Sequence, residues 1–153
     1  CFAKAQTHPT VSLAAGSQNH GVTVFQKRAD FAVWQGDMLA GCCGAMALEQ
    51  HQYELGYWIA ASARGKGAAT QAAGAVAQFA FITLGAKTLH AGHFLDNPAS
   101  GRVLEKLGFH YTGDTAQQYS LGRGCSAESK RMQLSKSDFQ IPGDIRFLPE
   151  QAR

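Results

Sequence analysis

Apolar and polar residues alternate from Tyr53 to Ala60. Tyr53, Leu55, Tyr57 and Ile59 share one face, and Glu54, Gly56 and Trp58 share the other, which is the period of a half-buried strand. Beyond the next loop the period changes. Ala69, Ala72, Ala73, Val76, Phe79, Ala80 and Thr83 recur at helical spacing. They predict a helix over Thr70–Leu84 with one apolar stripe, capped at its C-terminus by Gly85. Upstream, Val22 to Gln26 and Phe31 to Trp34 have β-type composition. Gln35-Gly36-Asp37 is turn material, and Met38 to Leu48 returns as a strand, which makes a hairpin. Downstream, Lys87 to Phe94 reads as a strand, broken at Asp96-Asn97-Pro98 because proline cannot continue a ladder. Ala99 to Leu107 is a short helix closed by Gly108. Phe109 to Thr112 and Lys130 to Leu134 are two more strands, and Gly113 to Ser129 between them is read as a long hairpin connection. Residues 1–20 show weak periodicity and are expected to hold the end of a helix, around Cys1 to Gln6, and a mobile loop. Residues 140–153 form an irregular tail.

The order is strand, strand, strand, helix, strand, helix, strand, strand. That is an α/β domain with a mixed sheet (α+β in arrangement), with too few βα units for a doubly wound dinucleotide fold. A length of 153 residues suits a single domain, 1–153, with one sizeable core. The 45% apolar and 16% charged content is ordinary for a globular chain, and a net charge of +3 without a long basic run does not call for nucleic acid. No apolar stretch reaches membrane-spanning length, and Cys1-Phe2-Ala3-Lys4 does not look like a signal peptide, so a cytoplasmic location is expected.

The cysteines, Cys1, Cys42, Cys43 and Cys125, form no Cys-x-x-Cys pair and argue against zinc. Cys42 and Cys43 are read as small core or strand residues in a reducing compartment, facing opposite ways. His90 and His93 lie three apart in one strand and face opposite sides, so no metal is expected. His93 is read as a satisfied structural histidine.

The stretch Ala63-Arg64-Gly65-Lys66-Gly67-Ala68-Ala69-Thr70 joins the strand to the long helix. Two glycines there let the backbone approach a ligand closely. The helix start offers unpaired N–H groups and a partial positive charge, and Arg64 and Lys66 add full charges. These are the features of a phosphate or pyrophosphate site. Taken alone, the loop reads equally well as a flexible turn, and it fits neither Gly-x-x-x-x-Gly-Lys-Ser/Thr nor Gly-x-Gly-x-x-Gly. A second cluster follows, Asn97-Pro98-Ala99-Ser100 before Arg102-Val103-Leu104-Glu105-Lys106-Leu107-Gly108-Phe109. It puts polar groups at a strand's C-terminal end, where open α/β sheets collect ligands. Helix capping by Asn97 or Ser100 explains the same residues.

In this order and spacing the two clusters resemble the GNAT superfamily of acetyl-CoA-dependent N-acetyltransferases. Arg64, Gly67 and Ala69 match its Arg/Gln-x-x-Gly-x-Gly/Ala loop, and Asn97 to Phe109 looks like its Asn-x-x-Ser-x-x-x-Leu-Glu-Lys-Leu-Gly-Phe segment. The run Glu54-Leu55-Gly56-Tyr57-Trp58-Ile59 is similar to the corresponding strand in the branch of ribosomal-protein N-terminal acetyltransferases and their small-molecule-modifying relatives. The resemblance covers roughly residues 31–135. It implies a mostly antiparallel mixed central sheet with flanking helices and a splayed cofactor cleft. Members usually begin with a strand and one or two helices that help form the acceptor site, and here those elements are expected to be truncated or missing.

The resemblance also implies roles. Backbone N–H groups of Arg64, Gly65, Lys66, Gly67, Ala68, Ala69 and Thr70 would bind the pyrophosphate of acetyl-CoA, and the backbone of Tyr57, Trp58 and Ile59 would pair with its pantetheine arm. The acceptor amine attacks the thioester directly, so the enzyme supplies a base, orientation and oxyanion stabilisation rather than a nucleophile. Glu54 is the candidate base through a water, Ser100 would hydrogen-bond the departing thiolate, and Asn97 would bond cofactor or substrate amides. Glu54 also reads as a strand carboxylate paired with an arginine. Arg102 and Val103 occupy the region where many members carry a tyrosine acid. Tyr111 and Tyr119 are substitutes that also read as ordinary strand residues. The expected partners are a small-molecule or peptide amine and, through exposed strand edges, a second copy in a homodimer. A non-catalytic acyl-CoA-binding or sensing domain on the same scaffold is the alternative.

Overall fold

The structure, a computed structural model, describes residues 11–15 and 28–141. In chain order the elements are β1 (Val11–Ala15), β2 (Arg28–Gln35), β3 (Met38–Ala47), β4 (Gln52–Ile59), α1 (Ala68–Ile82), β5 (Thr88–Phe94), α2 (Pro98–Lys106), β6 (His110–Ser120) and β7 (Cys125–Ser135). The strands form one seven-stranded sheet in the order β1-β2-β3-β4-β5-β7-β6. Every neighbouring pair is antiparallel except β4 with β5. The mixed, mostly antiparallel sheet with flanking helices is therefore as expected.

Alternation on the strands decides which face is covered. Phe31 and Val33 of β2, Cys43 and Ala45 of β3, Leu55 and Ile59 of β4, Leu89 and Ala91 of β5 and Met132 and Leu134 of β7 are all buried. The register Phe31↔Cys43↔Tyr57 and Tyr53↔Leu89↔Leu134 puts them on one face. Helix α1 packs on that face against β3 and β4, and α2 packs against β5 and α1. The predicted stripe of α1 is too narrow, since Ala75, Ala77 and Phe81 are buried as well. Phe81 meets Phe139 from the far side, with ring centroids 5.4 Å apart. Both helices begin earlier than expected, α1 at Ala68 and α2 at Pro98. Gly85 and Gly108 stand at their ends with φ of +70° and +95°, as the cap reading requires.

Two elements differ from the reading of the sequence. Val11–Ala15, within the stretch 1–20 expected to hold a helix end and a loop, is an edge strand on β2. Gly113–Ser129 is not a connection. β6 and β7 run through it as one ribbon, closed by a turn with Gly124 N–H on the Ser120 carbonyl at 2.8 Å. Most of this ribbon is exposed on both faces, so it carries no apolar alternation to read. The strand at Val22–Gln26, the helix end near Cys1 to Gln6 and the tail beyond residue 141 lie outside the described residues.

Ladder geometry positions the site. The parallel β4–β5 pairing spans only Gln52↔Thr88, Tyr53↔Leu89 and Glu54↔His90. Beyond that point β4 stays on β3 as far as Ile59, and β5 stays on β7 as far as Phe94. The sheet thus opens between Leu55–Ile59 and Ala91–Phe94, which is the expected splay.

Candidate active site

A cavity of about 440 Å³ occupies this split. Its wall includes Glu54, Gly56, Tyr57 and Trp58 from β4, Gly92, His93 and Phe94 from β5, Asn97 and Ser100 at the start of α2, and Arg28, Asp30, Cys42 and Met46 from β2 and β3. Of the residues singled out in sequence, Glu54, Tyr57, Trp58, Asn97 and Ser100 are brought together here. Ile59 and Arg64–Thr70 do not line this cavity; they form the end of β4 and the loop after it.

Arg64 to Gly67 of that loop are exposed, between a 3₁₀ turn at Ala61–Ala63 and the start of α1, where Ala63 and Ala68 are buried. Gly67 is the N-cap of α1 at φ +80°, a conformation a side chain resists. The first bond of the α1 ladder is Gln71 N–H to the Gly67 carbonyl at 3.0 Å, so the amides of Ala68, Ala69 and Thr70 stand ahead of it as helix-start donors. The Arg64 Nε donates to the Ile59 carbonyl at 3.1 Å, and Lys66 Nζ donates to the Ser62 carbonyl at 3.2 Å. Both side chains thus brace the loop while their charge stays at its surface. An anion at the helix start and an extended amide chain along the unpaired edge of β4 fit these residues.

Asn97 caps α2, its Oδ1 accepting from Ser100 N–H at 3.4 Å, and Pro98 opens the helix. The Ser100 Oγ lies 2.9 Å from the Tyr57 hydroxyl, which also donates to the Ser100 carbonyl at 3.0 Å. Burial pushes the Tyr57 phenol up to about 12, against the opposing pull of Ser100, so it is a neutral donor throughout the physiological range. Sequence reading used only the backbone of Tyr57 and missed this hydroxyl.

On the other face, Glu54 Oε1 accepts from Arg131 Nη1 of β7 at 3.0 Å, crossing β5. The arginine-paired reading of Glu54 is therefore what the structure displays. Asp30 pairs with Arg28 beside the same cavity. Arg131 was not singled out, and Gly92 was the available signal, a glycine inside a strand marking close approach. Gln118 also reaches the cavity, from the ribbon read as a loop.

The remaining groups are spoken for. His93 is buried. Its Nδ1 lies 3.0 Å from the Phe94 carbonyl, to which it donates, and its Nε2 is hydrogen-bonded to the Tyr111 hydroxyl at 3.1 Å. That makes it the structural histidine expected, and it occupies Tyr111. Tyr119 is 60% exposed on the ribbon. His90 faces the opposite side and meets Gln52 Oε1 at 2.9 Å. Burial raises the thiol pKa of Cys42, beside the cavity, and of Cys43 beneath the sheet, which keeps both protonated and poorly nucleophilic. Among the described residues, no group of three or more His, Cys, Asp or Glu is placed to hold a metal, and no helix is long and apolar enough to cross a membrane.

Solved structures share this architecture. One is the spermidine N-acetyltransferase from Vibrio cholerae in complex with CoA and spermine, with 21% identity and a TM-score of 0.64 over 74% of this chain and 68% of that one. A probable acetyltransferase matches at 25% identity and a TM-score of 0.66, over 74% of this chain and 65% of that one. RimJ of Mycobacterium smegmatis in complex with CoA-disulfide matches at 22% identity and a TM-score of 0.63, over 72% of this chain and 54% of that one. The chain therefore spans about half to two thirds of the length of these structures. A family profile described as the acetyltransferase (GNAT) domain matches residues 4–110, more than half of the sequence, and with the split sheet and the helix-start loop in place this chain belongs to the GNAT acetyltransferase family.

Proposed function

We propose that this protein transfers the acetyl group of acetyl-CoA to a primary amine by direct attack in a ternary complex. The observation that carries the reading is the opening of the sheet after Glu54↔His90, with a helix-start anion loop at the end of β4. In this reading the amides from Arg64 to Thr70 hold the pyrophosphate, and the backbone of Tyr57, Trp58 and Ile59, where β4 has parted from β5, orients the pantetheine arm. Asn97 bonds an amide of either substrate. Glu54 takes the ammonium proton through water, and Ser100, backed by the Tyr57 hydroxyl, hydrogen-bonds the departing thiolate. The protonated thiols of Cys42 and Cys43 agree with a route that needs no enzyme nucleophile.

The acceptor is a small-molecule amine or a peptide N-terminus, within the branch that contains the ribosomal-protein acetyltransferases. The fold it shares with RimJ, and with a polyamine acetyltransferase crystallised with spermine, supports that range. The carboxylates of Asp30 and Glu54 on the cavity wall suit a cationic acceptor. We place the protein in the cytoplasm, where free thiols stay reduced, and assign it no metal and no nucleic-acid partner. Its edge strands β1 and β6 are the surfaces through which a homodimer would form.

Mass spectrometry of an amine library incubated with acetyl-CoA tests the reading. Acetylated product with matching thiol release is expected, and neither appearing from folded protein at millimolar cofactor would sink it. The pairing of Glu54 with Arg131 favours a second reading, a domain that binds acyl-CoA without turning it over. Cofactor binding without thiol release across the library would select it.

A further inference from the structure

Arg131 stands on β7 opposite Gly92 of β5, and Gly92 is the residue over which its side chain passes to reach Glu54 of β4. A Cβ built at Gly92 would lie 3.1 Å from the Lys130 carbonyl oxygen, 3.3 Å from Arg131 Nη1 and 3.7 Å from its Cδ, so the missing side chain leaves room for both the β7 backbone and the arginine. The pair is two-thirds or more buried, with side-chain exposures of 27% and 25%, and so escapes much of the screening that weakens surface ion pairs. Arg131 takes only Oε1. Among the described residues Glu54 Oε2 has no hydrogen-bond partner, yet it is not among the sealed unpartnered atoms, so water reaches it.

The other groups around Glu54 do not compete for this role. Met46 faces it from β3 and is apolar. His90 faces it from β5 and is engaged by Gln52, while Gln133 of β7, opposite His90, is neutral. Arg28 of β2, beyond Met46, is taken by Asp30. Arg131 is the cation in direct contact with the carboxylate.

We propose that Arg131 is the positioning residue for Glu54: it holds the carboxylate by one oxygen and presents the other to the cavity, where the acceptor amine would meet it. The last clause rests on the acetyltransfer reading, whereas the first two do not.

The test measures kcat and KM of Arg131 variants with acetyl-CoA and the best amine, beside the carbon-13 chemical shift of the Glu54 carboxyl at neutral pH. Arg131→Met is expected to move that resonance and to lower kcat about tenfold or more while the KM for acetyl-CoA changes little, and Arg131→Lys to recover part of both. Gly92→Ala, whose added Cβ crowds the Lys130 carbonyl and the arginine while keeping every charge, should act in the same direction and serves if Arg131→Met does not fold. An unmoved Glu54 resonance in folded variants overturns the proposal. A resonance that moves while kcat stays fixed supports the pairing and overturns Glu54 as the base. Loss of thermal stability with neither change marks the ion pair as structural only and overturns the proposal.

Discussion

Tyr57 of β4 and Ser100 of α2 are joined across the split in the sheet, hydroxyl to hydroxyl at 2.9 Å. On the opposite face Glu54 and Arg131 cross the same split at 3.0 Å. The opening is therefore tied once on each face, and Glu54, Tyr57 and Ser100 all line the cavity between the ties. The first tie has a pH signature. Burial lifts the Tyr57 phenol from 10.0 to about 12, so the folded protein keeps a proton that the unfolded chain releases near pH 10. The stabilising contribution is complete below that pH and is lost as pH rises through about 12. Urea midpoints of wild type and Tyr57→Phe should therefore differ most near neutrality and converge in strong alkali. A constant gap would show that Tyr57 does not titrate in this way.

Ser100→Ala removes the hydroxyl proposed to meet the departing thiolate and leaves the Asn97 cap, which uses the Ser100 amide, in place. Turnover with the best amine should fall by roughly a hundredfold, the scale of a lost acid–base contribution. The KM for acetyl-CoA should change little. A variant with full kcat would remove Ser100 from the chemistry.

Gly101 lies where α2 meets β5. An added Cβ would stand 2.7 Å from His93 Nε2 and 2.9 Å from the Tyr111 hydroxyl, the two atoms of the His93–Tyr111 bond. Gly101→Ala should cost about 1–3 kcal/mol by overpacking, read from chemical denaturation. Gly56→Ala is the contrast. Nothing lies within 4 Å of a Cβ there, so the fold should be indifferent while the cavity that Gly56 lines becomes smaller. Equal destabilisation by both would contradict the packing described.

How much of this was legible depended on where the chain is half buried. The alternation from Tyr53 to Ile59 located β4 because that strand has one wet and one dry side, whereas the apolar spacing located α1 without showing that it is buried nearly all round, Ala75, Ala77 and Phe81 included. The β6–β7 ribbon has two wet sides between Gly113 and Glu128, so this part of its strands, with Gln118 in it, could not be found by hydrophobic period, whereas Phe109–Thr112 and Lys130–Leu134 were legible as strands. Arg131 escaped for another reason. Its partner lies 77 residues away in sequence and two strands over, and register of that range is set by the whole sheet. Asn97 and Ser100 were visible as a cap and a helix start, and both descriptions hold. What no local pattern contained was the Tyr57 hydroxyl beneath Ser100.

Gly67 holds φ +80° at the N-cap of α1, and a Cβ there would meet only Gln71 Nε2 at 3.9 Å. Space is no obstacle, so the cost of Gly67→Ala is backbone strain of about 1–2 kcal/mol. If the helix-start amides hold the pyrophosphate, relaxation of that strain misaligns them. Calorimetry should then show CoA binding weakened about tenfold or more while α1 remains folded. Unchanged affinity would move the anion site elsewhere.

Arg123, in the β6–β7 turn, reaches back to the β5–α2 corner. Its guanidinium grips Asp96 with two bonds of 2.6 and 2.7 Å and stacks over Phe94 at 4.5 Å. Phe94, two residues before Asp96, and Asn97, the residue after it, both line the cavity. The Arg123 hydrogen bonds hold the Asp96 carboxyl below its usual range. The tie is therefore present above the ordinary carboxylate pKa and is lost as pH falls through the lowered value. Because Asp96 is exposed, global stability should barely register Arg123→Ala. The loss should be local. Amide exchange should speed up in the ribbon turn and around Asp96 to Ser100, and acid should produce the same change in wild type. Faster exchange spread through α1 and the central strands, or none at the corner, would show that Arg123 does not brace it.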